Sequence, residues 1–303
     1  MSVHYQDDHL TLHHGDALIV LSDIPSDSVN CIVTSPPYFG LRNYGEKDQL
    51  GSEKTPEEYV EALTKVFKKA HRVLSPDGTL WLNLGDTYAN NGRTASKNLL
   101  GIPWRVALSL QDTGWILRND IIWEKPNAMP EPVKDRLTNR HEHLFLFSKS
   151  PTYWFDLDPI REPHTTQSDV IHWTKRKHEQ SFLPENKQQA NGVKGRVSGV
   201  AGYSEGGKNP GDIWKINTKP FAEAHFATMP PELAARCVLT GSHPGGTVLD
   251  PFSGAGTSGM AAIQNGRRYI GIDVSKKYLD LSLRTRLSQG AFNLYDASTK
   301  EPQ

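Results

Sequence analysis

The amino-acid sequence predicts an α/β fold, in which a mostly parallel sheet is covered by helices. Seven segments have the composition of β-strands, and most of them are separated by segments with helical periodicity. The segment Val29–Thr34 is apolar almost throughout, as expected for a strand buried on both faces of a parallel sheet. A glycine-rich turn from Gly254 to Gly259 follows one strand segment and precedes a helical one. These observations favour a fold whose ligands bind at the carboxyl ends of the strands.

The N-terminal part of the chain contains three predicted strands and two predicted helices. Leu10–His14 alternates apolar and polar residues, and a short helix separates it from the strand Val29–Thr34. Thr55–Glu58 then combines an N-cap, a proline in the first turn and a capping-box glutamate at the start of a longer helix. Ser75–Gly78 is predicted to end that helix as a turn, and Thr79–Leu84 to form the next strand.

The remaining elements continue this alternation. A helix with Pro103 in its first turn is predicted from Ile102 to Leu110, and another helix begins near Met229–Glu232 and ends at about Thr240. Between residues 151 and 212, by contrast, aliphatic residues are few, glycines are many, and no long core element is predicted. The other predicted elements are strands at 117–123, 143–147, 247–250 and 268–273, a helix ending near Asn265, and a last helix from the N-cap Ser275.

The composition is that of a globular protein. Hydrophobic residues make up 37% and charged residues 22% of the 303 residues, and no apolar run has the length of a membrane span. The first residues contain neither the basic nor the apolar region of a secretory signal, so we expect a soluble, cytoplasmic protein. The formal net charge is zero, so a nucleic-acid partner must be argued from the local distribution of charge. Cys31 and Cys237 are predicted to be buried small side chains rather than a disulfide.

The glycine turn has the spacing of a dinucleotide-binding site. Gly254, Gly256 and Gly259 would let the backbone approach a ligand, and Asp273 at the end of the next strand could bind a ribose. A nicotinamide-dependent enzyme is therefore the first hypothesis. Two observations oppose it, because Asp250 would repel a pyrophosphate and only about thirty residues follow Asp273, too few for the rest of a dinucleotide domain. The missing strands must precede the turn, so we expect a circularly permuted sheet.

S-adenosylmethionine fits both observations, because it joins a nucleoside to an amino-acid tail and carries no phosphate. Asp250 would face the amine of that tail, the glycines would pass under the ligand, and Asp273 would bind the ribose hydroxyls. Asp16, at the end of the first strand, would accept a hydrogen bond from the adenine amino group. A turn that binds no ligand is the alternative. The predicted cofactor-binding residues are Asp16, Asp250, Phe252, Ser253, Gly254, Gly256, Thr257 and Asp273.

A second stretch, Val33–Tyr38, ends an apolar strand with a serine, two prolines and an aromatic residue. The amino group of a nucleic-acid base is a poor nucleophile, because its lone pair is delocalised into the ring. Ser35 Oγ and the Pro36 carbonyl could accept hydrogen bonds from both amine hydrogens, and the prolines would fix the direction of that carbonyl. Tyr38 could stack on a base turned out of the duplex. A rigid turn without chemistry is the alternative; otherwise the predicted catalytic residues are Ser35, Pro36, Pro37 and Tyr38.

Together the two stretches resemble the amino-group DNA methyltransferases of restriction-modification systems and phages. Thr34–Tyr38 matches the catalytic motif of that family in its serine form, and Asp250–Gly256 matches its cofactor motif. The catalytic motif precedes the cofactor motif, which is the order of the beta subgroup. Further segments similar to the family are Gly15–Leu18, Leu74–Leu80, Asn119–Pro126 and His225–Pro230.

The resemblance implies a circularly permuted Rossmann-like fold that depends on S-adenosylmethionine, with a seven-stranded, mostly parallel sheet. It divides the chain into a catalytic half (1–150), a loop-rich target-recognition insertion (151–212), a cofactor-binding half (213–290) and a C-terminal tail (291–303). In the family, serine at the position of Ser35 usually accompanies N4-cytosine as the target, and aspartate or asparagine usually accompanies N6-adenine. The predicted function is therefore a site-specific cytosine-N4 DNA methyltransferase, with the adenine-N6 enzyme as the alternative.

Double-stranded DNA is the predicted partner, and a cognate restriction endonuclease could accompany the enzyme. A basic run beside Trp173 is predicted to contact phosphates, in a segment without a core of its own. The segment His141–His143 is not predicted to bind a metal, because adjacent residues of a strand point to opposite faces. A DNA-binding module without catalysis is the alternative from another functional class. The residues predicted to contact DNA are Arg42, Lys175, Arg176 and Lys177.

Overall fold

The computed structural model of the protein describes residues 2–40, 49–89, 95–164, 206–219, 221 and 228–288. Two compact units make up the chain: Met1–Asp156 together with Asp212–Gln303 form the larger, and Leu157–Gly211 the smaller. The described part of the smaller unit contains a 3-10 turn at Asp158–Ile160. The functional division of the chain at residues 150, 212 and 290 stays a prediction.

One sheet of nine strands forms the centre of the larger unit. Its strands are β1 (Ser2–Gln6), β2 (Leu10–His14), β3 (Val29–Thr34), β4 (Leu74–Leu84), β5 (Ile116–Glu124), β6 (His141–Ser148), β7 (Ile213–Lys215), β8 (Thr247–Asp250) and β9 (Arg268–Asp273). Across the sheet their order is β1-β2-β9-β8-β3-β4-β6-β5-β7. β1 and β6 run antiparallel to their neighbours, and the other seven strands share one direction. The predicted mixed α/β class with a mostly parallel sheet is confirmed.

The predicted number of seven strands is wrong, because β1 and β7 were not expected. β1 is an edge strand whose residues are mostly exposed, so it lacks the apolar alternation that marks a half-buried strand. β7 has only three residues, of which Trp214 alone is buried, and so short a segment carries no periodicity. The seven strands predicted from the sequence are all present.

Helices cover both faces of this sheet. They are α1 (Ala17–Asp23), α2 (Pro56–Val73), α3 (Ile102–Asp112), α4 (Pro231–Gly241), α5 (Thr257–Gln264) and α6 (Lys276–Ser282), which continues into a π-helical turn at Leu283–Leu287. α1, α2 and α3 share one core with Ile32 and Leu80. α4 covers the opposite face, since a Cβ at Gly241 would lie 2.9 Å from the sulfur of Cys31. Cys31 and Cys237 are buried and unpaired, as predicted.

The segment Ser75–Gly78, predicted to be a turn, lies inside β4. Leu74 pairs with Val29 of β3, and Thr79 pairs with Cys31. The residues of β4 between Leu74 and Thr79 therefore form a bulge. Because the strand keeps its pairing on both sides of the bulge, turn-forming residues are accommodated without ending it. The helix before it therefore passes directly into the strand.

The start of α2 follows the predicted capping with one difference. Thr55 caps the helix by accepting a hydrogen bond from the Glu58 amide at 3.2 Å. The Glu58 carboxylate accepts from the amide of Lys54 at 3.0 Å, whereas a capping box would have it accept from Thr55. The reciprocal contact is therefore displaced by one residue toward the N-terminus.

The strand order brings many chain segments to one edge of the sheet. The carboxyl ends of β2, β9, β8, β3 and β4 lie side by side there, because these strands are parallel. β6, being antiparallel, begins at the same edge. β8 and β9 lie between β2 and β3, so the C-terminal part of the chain fills the centre of a sheet that the N-terminal part begins. Among the described residues, no helix is both long and apolar enough to cross a membrane.

Candidate active site

A cavity of about 1030 Å³ opens at this edge of the sheet. It is larger than most single-ligand pockets, which have volumes of about 300–1,000 Å³. Arg42, Lys175, Arg176 and Lys177 lie outside the described residues. Gly256 is described but does not line the cavity. The predicted site residues that line it together are Asp16, Ser35, Pro36, Pro37, Tyr38, Asp250, Phe252, Ser253, Gly254, Thr257 and Asp273.

Asp250, the last residue of β8, is a buried carboxylate held by three internal donors. One oxygen accepts from Thr34 Oγ1 at 2.6 Å and from the Phe252 amide at 2.9 Å, and the other accepts from Ser258 Oγ at 2.5 Å. Burial raises the pKa of Asp250 to about 6, although these hydrogen bonds oppose the rise. A carboxylate has about four acceptor positions, so a cationic ligand in the cavity could be bound by the one that remains.

Asp273, the last residue of β9, fixes the glycine turn. One of its oxygens accepts from the Gly254 amide at 2.7 Å, and the other accepts from the Ser275 amide at 2.8 Å. Gly254 has φ +49°, and only Phe252 O, at 3.9 Å, approaches the position of its absent Cβ. The backbone at Gly254 is therefore open to the cavity, as a close ligand requires.

Gly256 serves the packing of helices. It has φ +77° at the N-cap of α5, and a Cβ there would lie 2.9 Å from Ser282 Cβ, at the end of α6. The close approach of these two helices depends on the missing side chain. Its predicted contact with the cofactor stays a prediction.

Asp16, which follows β2, also lines the cavity. It is exposed and caps α1, accepting from the Ile19 amide at 3.2 Å. Val274, which follows Asp273 directly and is 40% exposed, lines the cavity as well. We call the part of the cavity formed by Asp16, Asp250, Gly254 and Asp273 the glycine end.

The neighbouring part of the cavity is built around the stretch that follows β3. Tyr59 donates its hydroxyl to the Pro37 carbonyl at 2.8 Å, which fixes the second proline. Among the described residues no hydrogen bond reaches the Pro36 carbonyl, so it is available to a ligand. At Gly85 a Cβ would lie 2.7 Å from the Tyr38 ring, so this glycine leaves the space that the ring occupies.

Three side chains that were not predicted complete this end. Glu142, at the start of β6, accepts from Tyr38 Oη at 2.5 Å and from Asn83 Nδ2 at 2.7 Å. Its carboxylate also forms a salt bridge with Lys125 Nζ. Asn83 donates in addition to Tyr38 Oη at 2.8 Å, and Ser35 Oγ lies 3.2 Å from the same oxygen. We call Ser35, Tyr38, Asn83, Lys125 and Glu142 the proline end of the cavity.

The hydrogen bonds of the proline end have a defined direction. As a carboxylate, Glu142 can only accept, so the Tyr38 hydroxyl must donate to it. Tyr38 Oη can then only accept from Ser35, which must donate its single hydroxyl proton. Ser35 Oγ also accepts a long hydrogen bond from Asn83 Nδ2 at 3.5 Å, so one of its lone pairs remains available to accept a hydrogen bond from a ligand in the cavity.

The sequence did contain signals for part of this network. Lys125 falls in the segment Asn119–Pro126, for which a resemblance was found but no role. Glu142 was considered only as a member of a possible metal site together with its histidine neighbours. One of these, His143, forms a hydrogen bond with Asp120 at 2.9 Å. Within the described ranges, no group of three or more His, Cys, Asp or Glu residues could hold a metal ion.

The two ends are joined by one hydrogen bond, from Thr34 of β3 to Asp250 of β8. These strands are adjacent in the sheet, so their carboxyl ends present the two groups side by side. A ligand amine held at Ser35 would lie in the same cavity as a cationic ligand held at Asp250. The arrangement is suited to the transfer of a group from one ligand to the other.

Comparison with known proteins places this arrangement in a family. The family model described as DNA methylase, of the N6/N4 type, matches residues 29–284. Type II methyltransferase M.Cfr9I of Citrobacter freundii is 41% identical over 296 residues, which cover 90% of this chain and 86% of the relative.

Solved structures have the same fold. The protein TTHA0409 of Thermus thermophilus, solved in complex with S-adenosyl-L-methionine, is 26% identical, with a TM-score of 0.59 and coverage of 93% of this chain and 95% of that one. PvuII DNA methyltransferase, described as cytosine-N4-specific, is 19% identical, with a TM-score of 0.66 and coverage of 99% and 96%. At that identity the second structure shows the likeness of fold alone.

Proposed function

The chain belongs to the DNA methylase family, and from this premise we propose that it is a site-specific type II DNA methyltransferase that modifies the exocyclic N4 amine of cytosine. The methyl donor is S-adenosylmethionine, and the cytosine is turned out of duplex DNA to reach it. One observation carries the proposal: the Thr34–Asp250 hydrogen bond joins a site for an amine nucleophile to a site for a cationic cofactor within one cavity.

The glycine end fits S-adenosylmethionine by its chemistry. A buried carboxylate without a cationic partner in its hydrogen-bond set, Asp250, suits the ammonium group of the methionine tail. The open backbone at Gly254 suits close contact with the ligand. Because S-adenosylmethionine carries no phosphate, the site needs no phosphate-binding group. Asp273 and Asp16 are the proposed acceptors for the ribose hydroxyls and the adenine amino group. Phe252, Ser253 and Thr257 complete the proposed cofactor contacts.

The proline end activates the target amine. When bound, the cofactor supplies a methyl group on a positively charged sulfur, which the amine nitrogen attacks in line. Ser35 Oγ and the Pro36 carbonyl accept the two amine hydrogens, which draws the nitrogen toward a tetrahedral, more nucleophilic geometry. Pro37 keeps the turn rigid, and Tyr38 stacks on the cytosine ring.

The hydrogen-bonded chain also gives a route for the proton that the amine must lose. As the new carbon–nitrogen bond forms, the carbon–sulfur bond to the methyl group would break and the sulfur would leave as a neutral thioether. The nitrogen becomes positively charged and releases one proton to Ser35 Oγ. Ser35 passes its own proton to Tyr38 Oη, and Tyr38 passes its proton to Glu142. Lys125 beside Glu142 compensates the carboxylate charge before transfer. Ser35 and Tyr38 each gain one proton and lose one, whereas Glu142 gains one and ends protonated.

Cytosine is proposed over adenine because of Ser35. In the family that Thr34–Tyr38 resembles, serine at this position usually accompanies N4-cytosine. A hydroxyl that donates its proton internally, as Ser35 does to Tyr38, provides an uncharged acceptor for an amine. Double-stranded DNA is the proposed partner, contacted by Arg42 and by Lys175, Arg176 and Lys177 of the target-recognition insertion, and a cognate restriction endonuclease is the proposed genetic partner.

The experiment that tests this function identifies the methylated base directly. Purified protein is incubated with unmethylated bacterial genomic DNA and S-adenosylmethionine labelled in the methyl group, and the DNA is digested to nucleosides. We expect label in N4-methylcytosine. Label in N6-methyladenine alone would show the adenine enzyme of the same family. Absence of label, together with absence of cofactor binding by titration calorimetry, would overturn methyltransferase activity altogether.

A further inference from the structure

The loop that joins β5 and β6, residues 125–140, exposes two large apolar side chains. Met129 is 86% exposed and Leu137 is 90% exposed, more than any other large hydrophobic side chain that the structure describes as exposed. Scattered exposed apolar residues are ordinary, but nearly complete exposure of two in one short loop is unfavourable in water unless the loop meets a partner.

Met129 stands at the mouth of the cavity. It is one of the residues that line the cavity, and a cavity-lining side chain that is 86% exposed must lie on the rim. Leu137 is equally exposed but does not line the cavity. The two side chains therefore differ in position and not in chemical character.

The rim at Met129 belongs to the proline end. Lys125, four residues earlier, is bonded to Glu142, which holds the Tyr38 hydroxyl. The exposed rim of the glycine end is formed by other residues, among them Val274. A base that enters the cavity to reach Ser35 thus enters beside Met129.

Hydrogen bonds hold the two ends of the loop together. The Lys125 amide donates to the Arg140 carbonyl at 2.8 Å and closes the loop, and the Arg140 guanidinium donates to the Pro126 carbonyl at 2.9 Å. Pro130 follows Met129 directly and restricts its backbone to extended conformations. A rigid apolar tip can be inserted into a partner at a small cost in conformational entropy.

The charges of the loop suit a polyanion. Both of its acidic residues are paired, Glu131 with Arg136 at 2.5 Å and Asp135 with Lys97 at 2.6 Å. Within the part of the chain that the structure describes, Lys134 and Arg140 form no ion pair with a carboxylate and are exposed. They are available to phosphates of a duplex that the loop contacts.

We propose that Met129 is an apolar wedge that enters the base stack of duplex DNA and occupies the space left by the base turned into the cavity. The inference rests on the proposed function, since it requires a duplex substrate with an extruded base. Extrusion costs the stacking and pairing of the target base, and an apolar side chain in the gap compensates part of that cost. Met129 would thereby hold the opened state long enough for transfer.

The test compares Met129→Ala with Leu137→Ala on two synthetic duplexes that carry the sequence methylated by the wild-type protein. One duplex is fully paired, and the other has a mismatch opposite the target base, which lowers the cost of extrusion. On the paired duplex we expect Met129→Ala to lose about tenfold in kcat/KM, and Leu137→Ala to stay within about twofold of wild type. On the mismatched duplex Met129→Ala should recover most of this loss.

The outcomes separate this proposal from the proposed function. If wild type methylates neither duplex, the proposed function fails. If wild type is active and Met129→Ala equals Leu137→Ala on the paired duplex, the wedge is excluded. An equal loss on both duplexes also contradicts it, because the defect would then lie after extrusion. Titration of both variants with S-adenosylmethionine checks folding, and Met129→Leu should keep activity if apolar volume is what matters.

Discussion

The glycine end and the proline end of the cavity are built in different ways. The glycine end comes from the carboxyl ends of three neighbouring strands, β2, β9 and β8, and its carboxylates accept hydrogen bonds mainly from backbone amides and buried hydroxyls. The proline end combines side chains from four separate segments, and its network is made of side-chain contacts. The Thr34–Asp250 bond connects them through the residue that precedes Ser35, so the functions of the two ends should be separable by substitution.

The largest expected effect is that of Ser35→Ala. The variant removes one of two acceptors for the amine and interrupts the route to Glu142, so kcat should fall by about a thousandfold. The cofactor affinity should stay within about twofold, because Ser35 lies at the other end of the cavity. Single-turnover methylation and titration calorimetry measure the two quantities. Full activity of this variant would remove Ser35 from the mechanism, and a parallel loss of cofactor affinity would show that the ends are coupled.

The next largest effect is expected for Glu142→Gln. The amide can still accept from Tyr38, but it cannot take up a proton, so kcat should fall by about a hundredfold while KM for DNA and the cofactor Kd change little. Glu124→Gln is the matched control, because Glu124 pairs with Lys215 on the neighbouring strand and does not line the cavity. If both variants behave alike, Glu142 only stabilises the sheet edge. A rise in KM with kcat unchanged would make it a positioning residue for Tyr38.

The same contrast explains what the sequence could predict. The four residues of the glycine end were all singled out from the sequence, because each stands just after a predicted strand or at the end of one; that they bind the cofactor stays a prediction. Of the proline end only Ser35–Tyr38 was found, since Asn83, Lys125 and Glu142 meet there through strand pairing. The position of Glu142 depends on β6 running antiparallel between β4 and β5, which no local pattern encodes.

The fold followed the same rule. Strands and helices with strong periodicity were predicted well, whereas the exposed edge strand β1 and the three-residue β7 were not. At Ser75–Gly78 the local turn preference was overridden by pairing with β3 on both sides. Local chemistry was thus sufficient where a feature is made by neighbouring residues, and insufficient where distant segments determine it.

A third prediction concerns pH and the glycine end alone. The pKa of Asp250 is raised to about 6 by burial, so in the free protein the carboxyl takes up a proton as pH falls through about 6. Only the ionised form attracts the ammonium group of the cofactor, so affinity should fall by about tenfold per pH unit below about 6 and should be nearly constant from there to pH 7.5. Titration calorimetry in several buffers measures this.

Two further observations would sharpen that result. Below pH 6 binding should release a proton, which appears as a dependence of the binding enthalpy on the ionisation heat of the buffer. Asp250→Asn should bind the cofactor weakly and without this pH dependence, because the amide does not titrate. If Asp250→Asn keeps the wild-type pH profile, another group is responsible and Asp250 does not face the amine.

The smallest expected effect decides whether Gly256 belongs to the cofactor site or to the packing beneath it. Gly256 and Gly266 both have positive φ, +77° and +71°, so alanine should cost about 1 kcal/mol of unfolding free energy at either position through backbone strain. Nothing lies within 4 Å of the Cβ position at Gly266, whereas at Gly256 Ser282 Cβ lies at 2.9 Å. Gly256→Ala should therefore lose about 1 kcal/mol more than Gly266→Ala in urea unfolding, with similar cofactor affinity in the folded protein. If instead the two variants are equally stable and only Gly256→Ala loses affinity, the glycine contacts the cofactor, as its place in the motif predicts.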